Sequence, residues 1–183
     1  MPAPRMTTDE YLSLPEKLGP EELIYGLVRS AASPTPGHQW ILGRFFLELT
    51  SHVERRRLGR VWAAPLDVVL DREKHLIVQP DLLFVGNERM GIVIDRVWGP
   101  PDLVIEILSP KPRIGTLDER IGWFAEYGVR ECWLIRQEER EIEVVGFERG
   151  ALARRSTFDS GMPIRSIVLP AFDRSFEEIL GTP

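Results

Sequence analysis

The chain has 183 residues, 43% of them hydrophobic and 28% charged, with a net charge of −5. That is the length of one domain with a sizeable core and an ordinary globular composition, and the acidic balance argues against non-specific coating of nucleic acid. No apolar run approaches the roughly 18 residues of a membrane span, Met1-Pro2-Ala3-Pro4-Arg5 has no signal-peptide core, and a single cysteine, Cys132, excludes an intrachain disulfide and a cysteine-built zinc cluster and suits a reducing cytoplasm.

In chain order, Thr7 or Thr8 caps a short helix that runs through Leu14 and is stopped by Pro15. Residues 22–28, Glu-Leu-Ile-Tyr-Gly-Leu-Val, read as a strand or hairpin arm kinked at Gly26, and Ser33-Pro-Thr-Pro-Gly37 is a loop. From His38 to Arg57 the period turns helical, with Leu42, Phe45, Phe46, Leu49 and Val53 on one face. Arg55, Arg56 and Arg57 close that helix, where positive charge complements its dipole; a phosphate-contacting patch is the lesser alternative. Val61–Leu70 and Ile77–Val85 are strands at hairpin distance, and residues 86–100 form an irregular excursion. Residues 101–110 make a further strand, and Thr116 caps a helix to Tyr127 that Gly128 ends. Strands follow at 131–135, 141–148 and 152–157, with a short one at 164–169 and a terminal helix at 173–180. The order is that of a mixed α/β domain.

Two acids stand inside apolar, β-branched runs: Asp81 in Ile77-Val-Gln-Pro-Asp-Leu-Leu-Phe-Val85 and Glu106 in Pro101-Asp-Leu-Val-Ile-Glu-Ile-Leu108. A carboxylate is costly to bury alone, so each needs a partner, a metal or a catalytic task. Neighbouring strands would bring the two onto one face, where they repel unless a cation or proton intervenes. Pairing with one of the chain's 20 arginines is the competing explanation. Pro80 beside Asp81 calls for an edge or a bulge, a frequent device at active sites.

The ordered set Glu22-Leu-Ile-Tyr-Gly26, Ser33-Pro-x-Pro-x-His38, Gln79-Pro-Asp81, Pro101-Asp-Leu-Val-Ile-Glu106-Ile-Leu-Ser-Pro110 and Tyr127-Gly-Val-Arg-Glu-Cys-Trp133 resembles the Uma family of candidate restriction endonucleases, within the PD-(D/E)xK nuclease superfamily. The resemblance runs from about Thr7 to Phe176. It implies one restriction-endonuclease-like domain over residues 1–183: an α+β fold with an αβββαβ core, a mixed sheet flanked by helices, and a β-rich C-terminal extension. It implies Asp81 and Glu106 as ligands of Mg²⁺ or Mn²⁺, hard cations suited to oxygen donors. The superfamily lysine two positions after the second acid is replaced here by Leu108. The family's substitute, a lysine on the following helix, corresponds to Arg120, a residue that stabilises charge but is a poor base. Lys111 is a second source of positive charge, and Glu22 is expected to complete the metal shell or orient a water. Tyr25 stands where the family has an aspartate, His38 is a phosphate donor or a packing residue, and Asp67 supports the site or the fold. The expected function is a metal-dependent DNA endonuclease acting as a cytoplasmic homodimer. The alternative is a nuclease fold that has lost cleavage and binds nucleic acid or protein.

Overall fold

A computed structural model of the protein describes residues 5–15, 19–108 and 116–181. The chain builds two sheets. The larger has strand order β11 (Ala151–Phe158), β10 (Glu141–Glu148), β9 (Glu131–Arg136), β8 (Leu103–Leu108), β6 (Leu82–Gly86), β3 (Gly59–Ala63), and the smaller β2 (Leu27–Ser30), β1 (Glu21–Ile24), β5 (Leu76–Val78), β4 (Val68–Asp71), β7 (Val97–Trp98), so the expected mixed sheet forms and a second accompanies it. In the larger sheet, β8 (Leu103–Leu108) and β9 (Glu131–Arg136) run parallel while the remaining pairs are antiparallel.

The long helix α2 (Pro36–Arg56) covers one face of the larger sheet. Thr35 caps it by accepting the His38 N–H, and proline sits in its first turn, where a missing N–H costs nothing. Its stripe of Ile41, Phe45, Leu49 and Val53 packs on Leu82, Phe84, Leu103, Ile105 and Ile107, joined by Phe176 and Ile179 of α4 (Phe176–Leu180). The opposite face presents Leu83, Val85, Val104, Cys132 and Leu134 to α3 (Leu117–Tyr127) and to the smaller sheet. Thr116 and Glu119 cap α3 reciprocally, and Gly128 ends it in the left-handed conformation at φ 92°. Tyr11 of the one-turn helix α1 (Thr8–Leu12) lies with Leu23, Val69 and Ile77 on the far side of the smaller sheet.

The two sheets share one bent ribbon, and this places the site. The expected strands 61–70 and 77–85 each divide in two. β3 (Gly59–Ala63) pairs with β6 (Leu82–Gly86) in the larger sheet, while β4 (Val68–Asp71) pairs with β5 (Leu76–Val78) in the smaller. Pro65 and Pro80 stand at the crossing, where a residue without an N–H interrupts the ladder. One bond carries the pairing through the bend, the Ala64 N–H to the Asp81 carbonyl at 2.9 Å. The other arm of the smaller sheet is the hairpin β1 (Glu21–Ile24) to β2 (Leu27–Ser30), turned by Tyr25 at φ 50° and Gly26 at φ 83°.

The excursion at 86–100 holds a 3₁₀ turn (Asn87–Ile92) and a two-residue strand, β7 (Val97–Trp98), parallel to β4. β10 (Glu141–Glu148) and β11 (Ala151–Phe158) continue the larger sheet at its edge, so the β-rich extension adds no layer. The strand expected at 164–169 does not form. Ile164, Val168 and Leu169 are buried, but their neighbourhood satisfies its amides through side chains. Ser166 Oγ accepts from Val168 and Leu169, and Glu131 accepts from Ile167.

Candidate active site

Asp81 is the first residue past the bend and precedes β6, whose register against β8 pairs Leu82 with Ile105. One step further along that register Asp81 faces Glu106. The two acids thus share the α3 side of neighbouring strands, as their positions in the apolar runs suggest. The Ile107 N–H donates to Asp81 Oδ2 at 2.8 Å, tying the carboxylate to β8. His38, near the start of α2, brings Nε2 to the same oxygen at 3.2 Å from a ring that is 1% exposed.

Arg120 projects from α3 between two other acids. Its Nη1 reaches Glu22 Oε2 at 2.7 Å and Oε1 at 3.0 Å; its Nε and Nη2 both reach Glu106 Oε1, at 3.1 and 2.5 Å. The guanidinium also lies 5.7 Å from the Phe124 ring centroid, the face expected from helical spacing. Glu22 has both oxygens occupied, since the Gln79 N–H donates to Oε1 at 2.7 Å. Glu106, by contrast, offers the arginine only one of its two oxygens. Arginine pairing is therefore real for Glu106, yet it engages one edge of that carboxylate.

The electrostatics follow from burial. Glu106 is raised to about 7 on balance: desolvation pushes it up, Arg120 pulls it down, and the charges of Asp81 and Glu22 push it up. Burial works against the charged form of Arg120, but Glu106 and Glu22 outweigh it and hold the guanidinium above the ordinary arginine value. Cys132, opposite Val104 on β9, is raised well above a normal thiol by burial and by Glu106, so it is no nucleophile.

The remaining sequence candidates fall around this centre or outside it. Asp67 accepts from Gln79 Nε2 at 2.8 Å and pairs with Arg96 at 3.2 Å, so it braces the strand segment that carries Asp81. This network borders a cleft of about 370 Å³ that Tyr11 and Glu21 also line. Tyr25 turns the β1–β2 hairpin and stacks edge-on against Trp123 at 6.0 Å. Lys111 lies outside the described residues. Among the described residues, no three His, Cys, Asp or Glu side chains converge as a metal cage. Sequence reasoning missed the His38–Asp81 contact, which spans 43 positions and has no local signature. It also missed the two-acid clamp on Arg120.

The mixed sheet with helices on both faces, with Glu106 and the neighbouring Asp81 beside the buried Arg120, is consistent with a restriction-endonuclease-like fold. The chain belongs to the Uma2 family, described as "Putative restriction endonuclease", whose profile matches residues 8–177. Among solved structures it is similar to a "putative nuclease belonging to DUF820" from Anabaena variabilis. The two are 21% identical, the TM-score is 0.79, and the match covers 96% of this chain and 97% of the other. That likeness shows the fold. No curated protein matches the chain.

Proposed function

We propose that the protein is a divalent-metal-dependent endonuclease acting on DNA, with Asp81 and Glu106 as the metal ligands. The observation that carries this reading is the placement of the two acids: the β6–β8 register sets Asp81 opposite Glu106, and Arg120 engages only one oxygen of Glu106. Burial and two acidic neighbours raise Glu106 despite that arginine, so a cation beside the pair would be favoured. A cation that keeps most of its water and takes one or two carboxylates plus substrate phosphate suits such a pair. Held there, Mg²⁺ or Mn²⁺ supplies Lewis acidity toward the phosphate and acidifies a water.

The chain's own residues do the rest. Asp81 is oriented by the Ile107 N–H and His38. Arg120 stays protonated, holds Glu106 by one oxygen, and contributes fixed positive charge where negative charge develops on the phosphate. Glu22 serves as the anchor of that arginine, because both its oxygens are taken by Arg120 and Gln79. Residues 1–183 act as a single domain, and the active species is a two-fold pair, since cutting both strands of a duplex takes two sites.

One observation favours a second reading, a domain that binds DNA or protein without cleaving. Leu108 replaces the superfamily lysine, and Arg120 is already clamped by two acids. Calorimetric titration with Mn²⁺ separates the two. Binding by the wild type that Asp81→Asn and Glu106→Gln both abolish supports the nuclease centre. A wild type that takes up no Mn²⁺ supports the binding module.

A further inference from the structure

We infer that His38 is a positioning residue: it fixes the carboxylate of Asp81 for cation binding. The inference rests on the metal-site reading above and on three features of the imidazole. First, its place is built in by the helix start. Thr35 caps α2 through the His38 N–H at 3.2 Å, so the ring is carried on the first turn of a 21-residue helix whose apolar stripe is locked on the sheet. Second, the ring is 1% exposed and aims Nε2 at Asp81 Oδ2, the oxygen that also accepts from Ile107 at 2.8 Å. Two donors on one oxygen, from different elements, set the plane of the carboxylate. An ionised carboxylate only accepts, so Nε2 carries the proton.

Third, Nδ1 is buried and has no hydrogen-bond partner among the described residues. A histidine kept only for packing gains nothing from a buried, unpartnered nitrogen, and an apolar side chain of similar volume would avoid the penalty. What the imidazole supplies that leucine cannot is the single Nε2–H bond to Asp81. Groups that orient a metal-binding carboxylate typically change metal affinity by about 10–100-fold when removed. The His38 ring does not reach the solvent.

The test is Mn²⁺ calorimetry combined with melting of the metal-free proteins, for wild type, His38→Leu and His38→Gln. Leucine removes the donor and the orphaned nitrogen together, whereas glutamine keeps an N–H donor of similar reach. The inference expects His38→Leu to bind Mn²⁺ about 10–100-fold more weakly while melting at or above the wild-type temperature. His38→Gln should recover affinity to within about threefold of wild type, since the donor is what counts. Equal affinity in wild type and His38→Leu overturns the positioning role, and so does a glutamine variant as weak as leucine. If His38→Leu does not fold, His38→Met, which matches glutamine in length but has no N–H, takes its place in the same comparison. A wild type that binds no Mn²⁺ overturns the metal site itself, an outcome distinct from the failure of His38 alone.

Discussion

At the scale of single residues, the site is a balance between burial and charge. Arg120 is 10% exposed and spans Glu22 and Glu106, so removing it takes from two buried acids the counter-charge they share among the described residues. Breaking a buried pair from one side typically costs about 3–5 kcal/mol. Arg120→Met should therefore lose stability of that order in denaturant unfolding of the metal-free protein, with Arg120→Lys losing less. A methionine variant as stable as wild type would show that the clamp is not structural. Glu106 gives a pH signature with a definite sign. Its folded value, about 7, lies above the ordinary 4.5, so the fold favours the protonated acid. Its contribution is fully present below about pH 4.5 and is lost as pH rises through 7. The melting temperature of metal-free wild type should thus fall over the same interval relative to Glu106→Gln, which cannot ionise. Parallel profiles for the two proteins would contradict the assignment.

At the scale of elements, the geometry decides which charges meet. α2 carries His38 at one end and Arg55, Arg56 and the left-handed cap Arg57 at the other. With 1.5 Å per residue, Arg56 lies roughly 27 Å from His38, too far to share a phosphate with the acids. The triple arginine is therefore a helix terminus first, as its dipole placement suggests. β3 is held against β6, and so against Asp81, by a close approach at Gly59. A Cβ there would stand 2.1 Å from the Val85 carbonyl oxygen. Gly59→Ala should cost at least about 1–3 kcal/mol by overpacking, measured as a shift in the denaturant midpoint with the slope unchanged. Glu131, fully buried on β9, organises the segment 164–169. It accepts from Trp133 Nε1, Ser166 Oγ and the Ile167 N–H. Glu131→Ala orphans the buried Trp133 Nε1–H and two partly buried donors and should cost on the order of 1–3 kcal/mol, while leaving Mn²⁺ binding intact in whatever fraction remains folded.

At the scale of the whole molecule, the two acids stand out in the sequence because a charge inside an apolar run demands an explanation, and the strands that carry or follow them, β6 and β8, are neighbours in one sheet. The helices were legible because their caps and periods agree: Thr7, Thr116 and Gly128 stand where the structure uses them, although α2 starts at Pro36, inside the expected loop. The division into two sheets was less so. The apolar runs continue past Pro65 and Pro80 without changing character, and only the missing N–H groups hint that the ribbon changes sheet. Residues 164–169 mislead for a related reason: their burial pattern is that of a strand, but Ser166 and Glu131 take the hydrogen bonds a neighbouring strand would have made. The His38–Asp81 contact leaves no trace in local sequence at all. No described helix is long and apolar enough to cross a membrane. The expected two-fold pair is checked by light scattering at micromolar concentration, where a monomer would count against it. Exposed Trp40 and Leu47, seven residues apart on α2, are where acidic substitutions should first weaken a pair.

The central claim, that Asp81 and Glu106 form a metal-dependent phosphodiesterase centre, is tested most directly on supercoiled plasmid DNA. Wild type, Asp81→Asn and Glu106→Gln are incubated in parallel with Mn²⁺ and with a chelator, and nicked and linear products are quantified. Wild type should convert the plasmid only with Mn²⁺, and both variants should leave it supercoiled while retaining a folded melting transition. An inert wild type, or variants that cut as fast as wild type, would contradict it.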